Sequence, residues 1–310
     1  MTLNERAQRL ADAMVANADS LRIAVSRVAG AQILDCGGAV TGSLAAGLAM
    51  SRICLADLAE VSLVPDAMGP AVQVMTDDPV RACLGSQYAG WQVMAADKFY
   101  GMGSGPMRAL SAREAIFEHI HAKESAPCAV GVIETRKHPT TEVIEAIVAK
   151  LPAEAASLTL LVAPAASLAG TVQVVARSVE TALHKLHELK FDVHQVISGY
   201  GVAPLPPVAA DELQAIGRTN DAILYGGRVT LWVRCDDELL ESLGPKVPSS
   251  GSKDHGALFA DLFARYGDFY KIDPLLFSPA EVEFRNLKTG RCHRFGKCEP
   301  GLVRKSFGLE

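Results

Sequence analysis

Ala126-Pro127-Cys128-Ala129-Val130-Gly131-Val132-Ile133, followed from Pro139-Thr140-Thr141 by a helical pattern running to Lys150, is the stretch that decides the fold class. An unbroken apolar run of this kind reads as a strand buried on both faces, which requires helices on both sides of its sheet. Pro139 and the threonines supply the helix start. The pattern recurs downstream: residues 158–162 read as a strand, 171–190 as one long helix and 193–198 as a further strand. Upstream, 21–28 and 31–35 are short strands broken at Ala29-Gly30, and 42–58 is a helix rich in small residues. Residues 60–64, 71–75 and 91–94 are strand-like, with a short helix from Asp78-Pro79 to about Tyr88. Toward the C-terminus, a strand at 228–234 leads to a short helix at Asp236-Asp237. A helix at 258–266 and a hairpin, 282–286 with 291–295 across Lys288-Thr289-Gly290, complete the pattern. This order is neither strictly alternating nor segregated, so the expectation is a mixed α/β (α+β) chain of two domains, 1–155 and 156–310, with a discontinuous division compatible with the same pattern.

Composition narrows the class. A chain of 310 residues, 49% hydrophobic and 21% charged, can bury a large core. Its net charge of −5 argues against a nucleic-acid partner, which needs clustered Lys and Arg. The densest basic segments, Thr135-Arg136-Lys137-His138 and Val303-Arg304-Lys305, read as solvated loops. The first residues lack a secretion-signal pattern, and the most apolar stretch, 44–58, holds Arg52 and Asp57 and is too short to span a bilayer. The expectation is a cytoplasmic protein with no membrane partner. Seven scattered cysteines suggest buried thiols, not a disulfide framework. Cys292-His293-Arg294-Phe295-Gly296-Lys297-Cys298 lacks a second ligand pair at zinc spacing, so no metal is assigned.

In the long helix, Val172, Val175, Val179, Ala182, Leu183, Leu186 and Leu189 form an apolar stripe. At roughly 100° per residue, Arg177, Glu180, His184 and His187 gather on the other side. Two readings stand: a solvated face with an i, i+3 ion pair, or a glutamate held by an arginine as a general base. Gly101-Met102-Gly103-Ser104-Gly105-Pro106, before Arg108, reads as a loop able to offer backbone N–H groups to an anion. Residues 198–207, Gly217-Arg218-Thr219-Asn220-Asp221 and Pro248-Ser249-Ser250 read as further loops. Walker, Rossmann, nucleophile-elbow and His-Glu-x-x-His patterns are absent from the sequence.

Several strings together resemble the methenyltetrahydromethanopterin cyclohydrolase family, in the form found in methylotrophic bacteria. They are residues 176–186 (Ala-Arg-Ser-Val-Glu-Thr-Ala-Leu-His-Lys-Leu), 198–207, 215–227, 268–274, 277–280 and 306–308, with 98–106 upstream. The resemblance implies a two-domain α/β subunit with a pterin pocket between the domains, a homotrimer, and reversible hydrolysis of the 5,10-methenyl carrier to its 5-formyl form. It implies no cofactor beyond the pterin substrate and no metal. It places the catalytic roles on Arg177 and Glu180 and the pocket at Lys98 and the glycine run behind it. Tyr100, Gly103, Ser104, Gly105, Tyr200, Arg218 and Asn220 complete the expected substrate contacts. His255 stands where the resemblance leads one to expect tyrosine.

The chemistry suits these residues. The methenyl bridge is an amidinium-like cation, so a positioned water and a carboxylate to take its proton suffice. Arg177 favours the charged carboxylate and burial opposes it. Two other readings use the same pocket: a one-carbon or formyl transferase with a carrier amine as acceptor, and a non-catalytic pterin carrier or sensor.

Overall fold

The computed structural model describes residues 1–95, 99–267 and 271–309. Its strands are β1 (Ala24–Val28), β2 (Ala31–Asp35), β3 (Glu60–Asp66), β4 (Gly69–Thr76), β5 (Trp91–Ala95), β6 (Phe99–Ser104), β7 (Cys128–Glu134), β8 (Ser157–Ala163), β9 (Val196–Pro204), β10 (Arg228–Val233), β11 (Glu281–Asn286) and β12 (Cys292–Gly296). The helices are α1 (Leu3–Ala16), α2 (Ala18–Leu21), α3 (Leu44–Cys54), α4 (Met107–Ser111), α5 (Phe117–Ile120), α6 (Thr141–Val148), α7 (Leu168–Val175), α8 (Ser178–Glu188), α9 (Glu212–Gly226), α10 (Asp237–Leu243), α11 (Phe259–Tyr266) and α12 (Pro300–Phe307). The helix expected from Asp78-Pro79 is a π-helix over Val80–Gln87.

The chain is mixed α/β and divides into two compact units, 1–59 with 81–173 and 60–80 with 174–310. A single cut after residue 155 would separate β7 from β8, which pair in parallel along their full lengths from Cys128↔Ser157 to Glu134↔Ala163. The β3–β4 hairpin belongs to the second unit because β4 pairs with β9.

The first unit holds a six-stranded sheet ordered β1-β2-β8-β7-β6-β5, in which β2, β8 and β7 run parallel. Ala29 (φ 46°) and Gly30 (φ 85°) make the left-handed pair that closes the β1–β2 hairpin. The parallel strands bury both faces. Leu160 and Val162 face a core with Ile144 and Ile147 of α6, whereas Leu161 and Ala163 face one with Ala11 and Met14 of α1 and Met50 and Ile53 of α3. Truncating Leu161 to alanine is expected to cost about 2–5 kcal/mol, measurable by denaturant unfolding, because the side chain is wholly buried.

The second unit holds a sheet ordered β12-β11-β10-β9-β4-β3, antiparallel except for β10 beside β11. Helices α8 and α9 pack on β9. Among the described residues no helix is long and apolar enough to cross a membrane.

Candidate functional site

The expected helix over 171–190 is two helices. α7 ends at Val175, α8 begins at Ser178, and Arg177 between them takes φ −94°, ψ 10°, the sparsely populated bridge region. Arg177 N–H still reaches the Val174 carbonyl at 3.2 Å, and its own carbonyl accepts from Thr181 N–H at 2.9 Å. Arg177 therefore caps α8 and Glu180 lies in its first turn, where the N–H groups of the helix end favour a negative charge. Both side chains are buried, at 8% and 4% exposure, which rules out the solvated-face reading. Arg177 Nη1 lies 3.9 Å from Glu180 Oε2, in ion-pair range but too long for a hydrogen bond. His184 and His187 are half-buried on the same side, each beside Glu188.

Two glycines seat this helix on the sheet. A Cβ on Gly199 would lie 2.7 Å from Val179 Cγ1, and one on Gly201 would lie 2.9 Å from Val179 Cγ2 and collide with Ser178. The expected loop at 198–207 is thus mostly strand β9, its glycines replacing side chains that would hold α8 away. Tyr200, between them, points to the opposite face, where its hydroxyl donates to Gln73 Oε1 at 2.9 Å. There it lines an open crevice of about 320 Å³ with Met75, Trp232 and Leu287. The structure does not bring Tyr200 to the Arg177–Glu180 pair.

The glycine run at 101–105 is likewise not a loop. Gly101 and Gly103 sit in β6 opposite Val93 and Trp91, committed to the sheet. A Cβ on either would meet Ile133 Cγ2 at 2.6 Å or the Trp91 carbonyl at 2.9 Å. Ser104 is buried beside Cys54 Sγ at 3.3 Å, and Gly105 takes φ 90° to turn the chain into α4. Arg108 is fully buried, bound to Glu114 and to the Leu84 and Ser86 carbonyls, and so anchors the fold. Tyr100 is half exposed, its hydroxyl 3.0 Å from Met102 Sδ. Lys98 lies outside the described residues, as do Asp268, Phe269 and Tyr270 of the resembling strings.

Residues 217–221, expected as a loop, are the middle of α9. A Cβ on Gly217 would make only ordinary contact with Ala260 of α11, at 3.5 Å, and packing of α9 against α11 and α12 overrides a run of poor helix formers. Arg218 donates to the Ser306 carbonyl (3.2 Å) and to the Pro207 carbonyl (3.3 Å), and Asn220 donates to the Ile216 carbonyl (2.8 Å). Asp221 accepts from Phe259 N–H at 3.0 Å and Ser306 Oγ at 2.6 Å. Burial pushes its carboxyl up from 3.8 to about 6 despite those donors. A raised acid favours the folded state while protonated. Its contribution is therefore complete below about pH 4 and is lost as pH rises through about 6. Asp221→Asn should flatten that part of the stability–pH curve in melting experiments and stabilise at pH 7 by up to about 3 kcal/mol. His255 packs its ring 5.3 Å from that of Tyr225, with Nδ1 3.3 Å from Ser249 Oγ, and burial lowers its pKa.

Lys185 is the residue the sequence reading missed. It is 1% exposed, donates from Nζ to the Leu275 carbonyl, and burial draws its pKa down to about 8 against the pull of Asp273. Asp273 in turn accepts from Ser252 Oγ at 2.7 Å, and its N–H donates to Asp254 at 2.9 Å, tying α8 to the 252–275 segment. A lysine at the edge of an apolar stripe ordinarily reads as snorkelling to water. The available signal was its spacing of seven from Ser178, which places both on the sheet side of α8.

Among the described residues no group of three or more His, Cys, Asp or Glu side chains gathers to hold a metal ion. In the Cys292–Cys298 segment, His293 Nε2 bonds Asp237 at 3.0 Å and Cys298 Sγ faces the Gly226 carbonyl.

A family model described as Cyclohydrolase (MCH) matches residues 2–307. A methenyltetrahydromethanopterin cyclohydrolase of Rhodopirellula baltica is 51% identical over 292 residues, covering 91% of this chain and 87% of the relative. Proteins of the same name from Methylobacterium sp. (strain 4-46) and Methanococcoides burtonii are 44% identical (99% of this chain, 97% of the relative) and 40% identical (100% and 99%). With a family model spanning nearly the whole length and relatives matching end to end, this chain belongs to the MCH cyclohydrolase family.

Proposed function

We propose that the chain hydrolyses 5,10-methenyltetrahydromethanopterin reversibly to the 5-formyl form, with Glu180 as general base and Arg177 orienting both Glu180 and the attacking water. The observation that carries this is a buried carboxylate and guanidinium 3.9 Å apart at the start of α8, in a member of a cyclohydrolase family. A separation beyond hydrogen-bond length is one that a bridging water fits. Water oxygen bonds to the bridge carbon and Glu180 takes a water proton. That proton passes to N10 as the carbon–N10 bond opens, and the remaining hydroxyl proton leaves to solvent as the carbonyl forms, so the formyl group stays on N5 and one proton is released per turnover. The positive bridge attracts the carboxylate before the reaction and loses its charge as water adds, so Glu180 serves both to hold the substrate and to accept the proton. The further substrate contacts belong to the same proposal, at Lys98, Tyr100, Gly103, Ser104 and Gly105. Tyr200, Arg218 and Asn220 belong to it as well, Arg218 and Asn220 with side chains that also bond backbone carbonyls. Homotrimeric assembly and a cytoplasmic location complete the proposal.

The test is the near-ultraviolet absorbance of the methenyl carrier mixed with a catalytic amount of the protein. Decay without a second substrate is the expected result. Decay only in the presence of an acceptor amine would assign a transferase, and binding without decay would leave a carrier or sensor.

A further inference from the structure

Addition of water to a methenyl cation releases one proton per turnover, and the group that receives it, Glu180, is buried at 4% exposure. The rest of α8 carries titratable groups in line with that carboxylate. Glu180, His184, His187 and Glu188 fall within an arc of about 100° of the helix, on the side opposite the apolar stripe. Glu180 and His184 are spaced i, i+4, and so are His184 and Glu188, a separation of about 5–6 Å between Cβ atoms that side chains of this length can bridge. Side-chain exposure rises along the row, from 5% at Glu180 to 19% at His184 and 41% at Glu188.

At the outer end both imidazoles converge on one oxygen. His184 Nε2 lies 3.9 Å and His187 Nδ1 3.7 Å from Glu188 Oε1. Those separations exceed hydrogen-bond length and suit a bridging water. An imidazole takes a proton on one ring nitrogen and releases one from the other, and histidine is the side-chain type that does so near neutral pH. The field of the helix acts in the same direction. Glu180 stands in the first turn, where the N–H groups favour a negative charge, and His187 stands in the last, where the carbonyls favour a positive one. A proton leaving Glu180 for the histidines thus restores an anion at the end that stabilises anions. Other charged groups around α8 are Arg177, 3.9 Å from Glu180, and Lys185, on the sheet side against the Leu275 carbonyl with Asp273 nearby. The Val193–Gln195 turn packed on the helix carries His194, with Asp192 beside it, whereas β9 and β10 face α8 with uncharged residues such as Gly199, Gly201 and Leu231.

We infer that His184 relays the reaction's proton from Glu180 to water by way of Glu188, with His187 sharing the outer position. This rests on the hydrolase reading above, with Glu180 as the base. After water has added and the first proton has gone to N10, the O–H bond of the remaining hydroxyl breaks. Its electron pair closes the formyl carbonyl, while the pair of the carbon–N10 bond stays with N10. The freed proton passes to the Glu180 carboxylate and then to one nitrogen of His184. The other nitrogen gives its proton to Glu188 or to the water between them. Once the ring has returned to its first tautomer, all three groups are as they began, and one proton has entered the solvent. In the formyl-to-methenyl direction the same row brings the proton in. In this role His184 acts through Glu180 and not on the substrate, as a positioning residue for the proton.

The experiment follows the full-length protein in weakly buffered solution, with methenyl absorbance and a pH-indicator dye recorded together. In the parent, protons should appear at the rate at which the absorbance decays. His184→Gln keeps a polar side chain but cannot carry a proton. It should lower kcat at least tenfold with KM unchanged, and added imidazole should restore most of the loss without speeding the parent. Glu188→Gln, at the exposed end of the row, should lose at least twofold in weak buffer and recover with imidazole, and it decides the matter if His184→Gln does not fold. A folded His184→Gln variant, with its melting temperature unshifted and its kcat equal to that of the parent, would overturn the relay. So would a loss that neither imidazole nor stronger buffer restores, which is the mark of a structural role. Where only Glu188→Gln folds, parental kcat in weak buffer overturns the relay. A parent that leaves the methenyl carrier unconsumed would defeat the hydrolase reading and the relay with it, whereas an active parent with indifferent variants defeats the relay alone.

Discussion

Glu180→Gln is expected to lower kcat by about two orders of magnitude or more while leaving the melting temperature nearly unchanged. Glutamine matches the shape of glutamate, so at 4% exposure the packing around the start of α8 is kept. What is lost is the ability to take a proton from water and to meet a cationic substrate with a full negative charge. General-base assistance is typically worth ~10²–10⁴-fold, or roughly 3–5 kcal/mol of barrier. Absorbance kinetics and a thermal melt on the same sample separate the chemical loss from a folding defect. Turnover near that of the parent would remove Glu180 from the mechanism.

Gly201→Val should be nearly as damaging for a different reason. The first added carbon already meets Val179 Cγ2 at 2.9 Å and runs into Ser178, and valine brings two more. β9 is central in its sheet and cannot retreat, so α8 must lift. Overpacking of this kind costs typically ~1–3 kcal/mol. The same displacement moves Arg177 and Glu180, which sit within two residues of the contact, and misplacement by about 1 Å can cost ~10²-fold in rate. The expected outcome is a folded protein with a lowered melting temperature and kcat reduced at least tenfold. Gly301→Ala in α12 is the control: a Cβ there meets nothing within 4 Å, so activity should be unchanged and stability equal or slightly higher. Equal kcat for Gly201→Val and the parent would show that β9 does not set the position of the pair.

These expectations also show which features the sequence carried openly. The alternation of Leu160, Leu161 and Val162 between two cores is visible as an unbroken apolar run, because a strand covered on both faces needs no polar positions. The hairpin turn at Ala29-Gly30 and the β11–β12 pair were equally legible from local turn residues. The glycine-rich strings were misread as loops for one shared reason. Gly101, Gly103, Gly199 and Gly201 are small because another element lies against them, and nothing local distinguishes that need from the need of a turn. Gly217 to Asp221 failed likewise, since the contacts that hold them helical come from α11 and α12, far along the chain. The break at Arg177 is hidden because the apolar stripe keeps its phase across it, from Val172 and Val175 to Val179. At the site, the i, i+3 spacing drew Arg177 and Glu180 together, but their burial was not legible from periodicity, which places them opposite the stripe. Lys185 was hidden for a different reason, since a lysine beside an apolar stripe reads as reaching to water.

The central claim is that water, not a second carrier, supplies the atom added to the bridge carbon. The most direct measurement is the reaction of the methenyl carrier with a catalytic amount of the protein in water labelled with the heavy oxygen isotope, followed by mass analysis of the product before exchange. The account predicts one labelled oxygen in each formyl group, appearing at the rate at which the methenyl absorbance decays and slowed in parallel by Glu180→Gln. An unlabelled product, or label whose appearance requires an added amine acceptor, would contradict it.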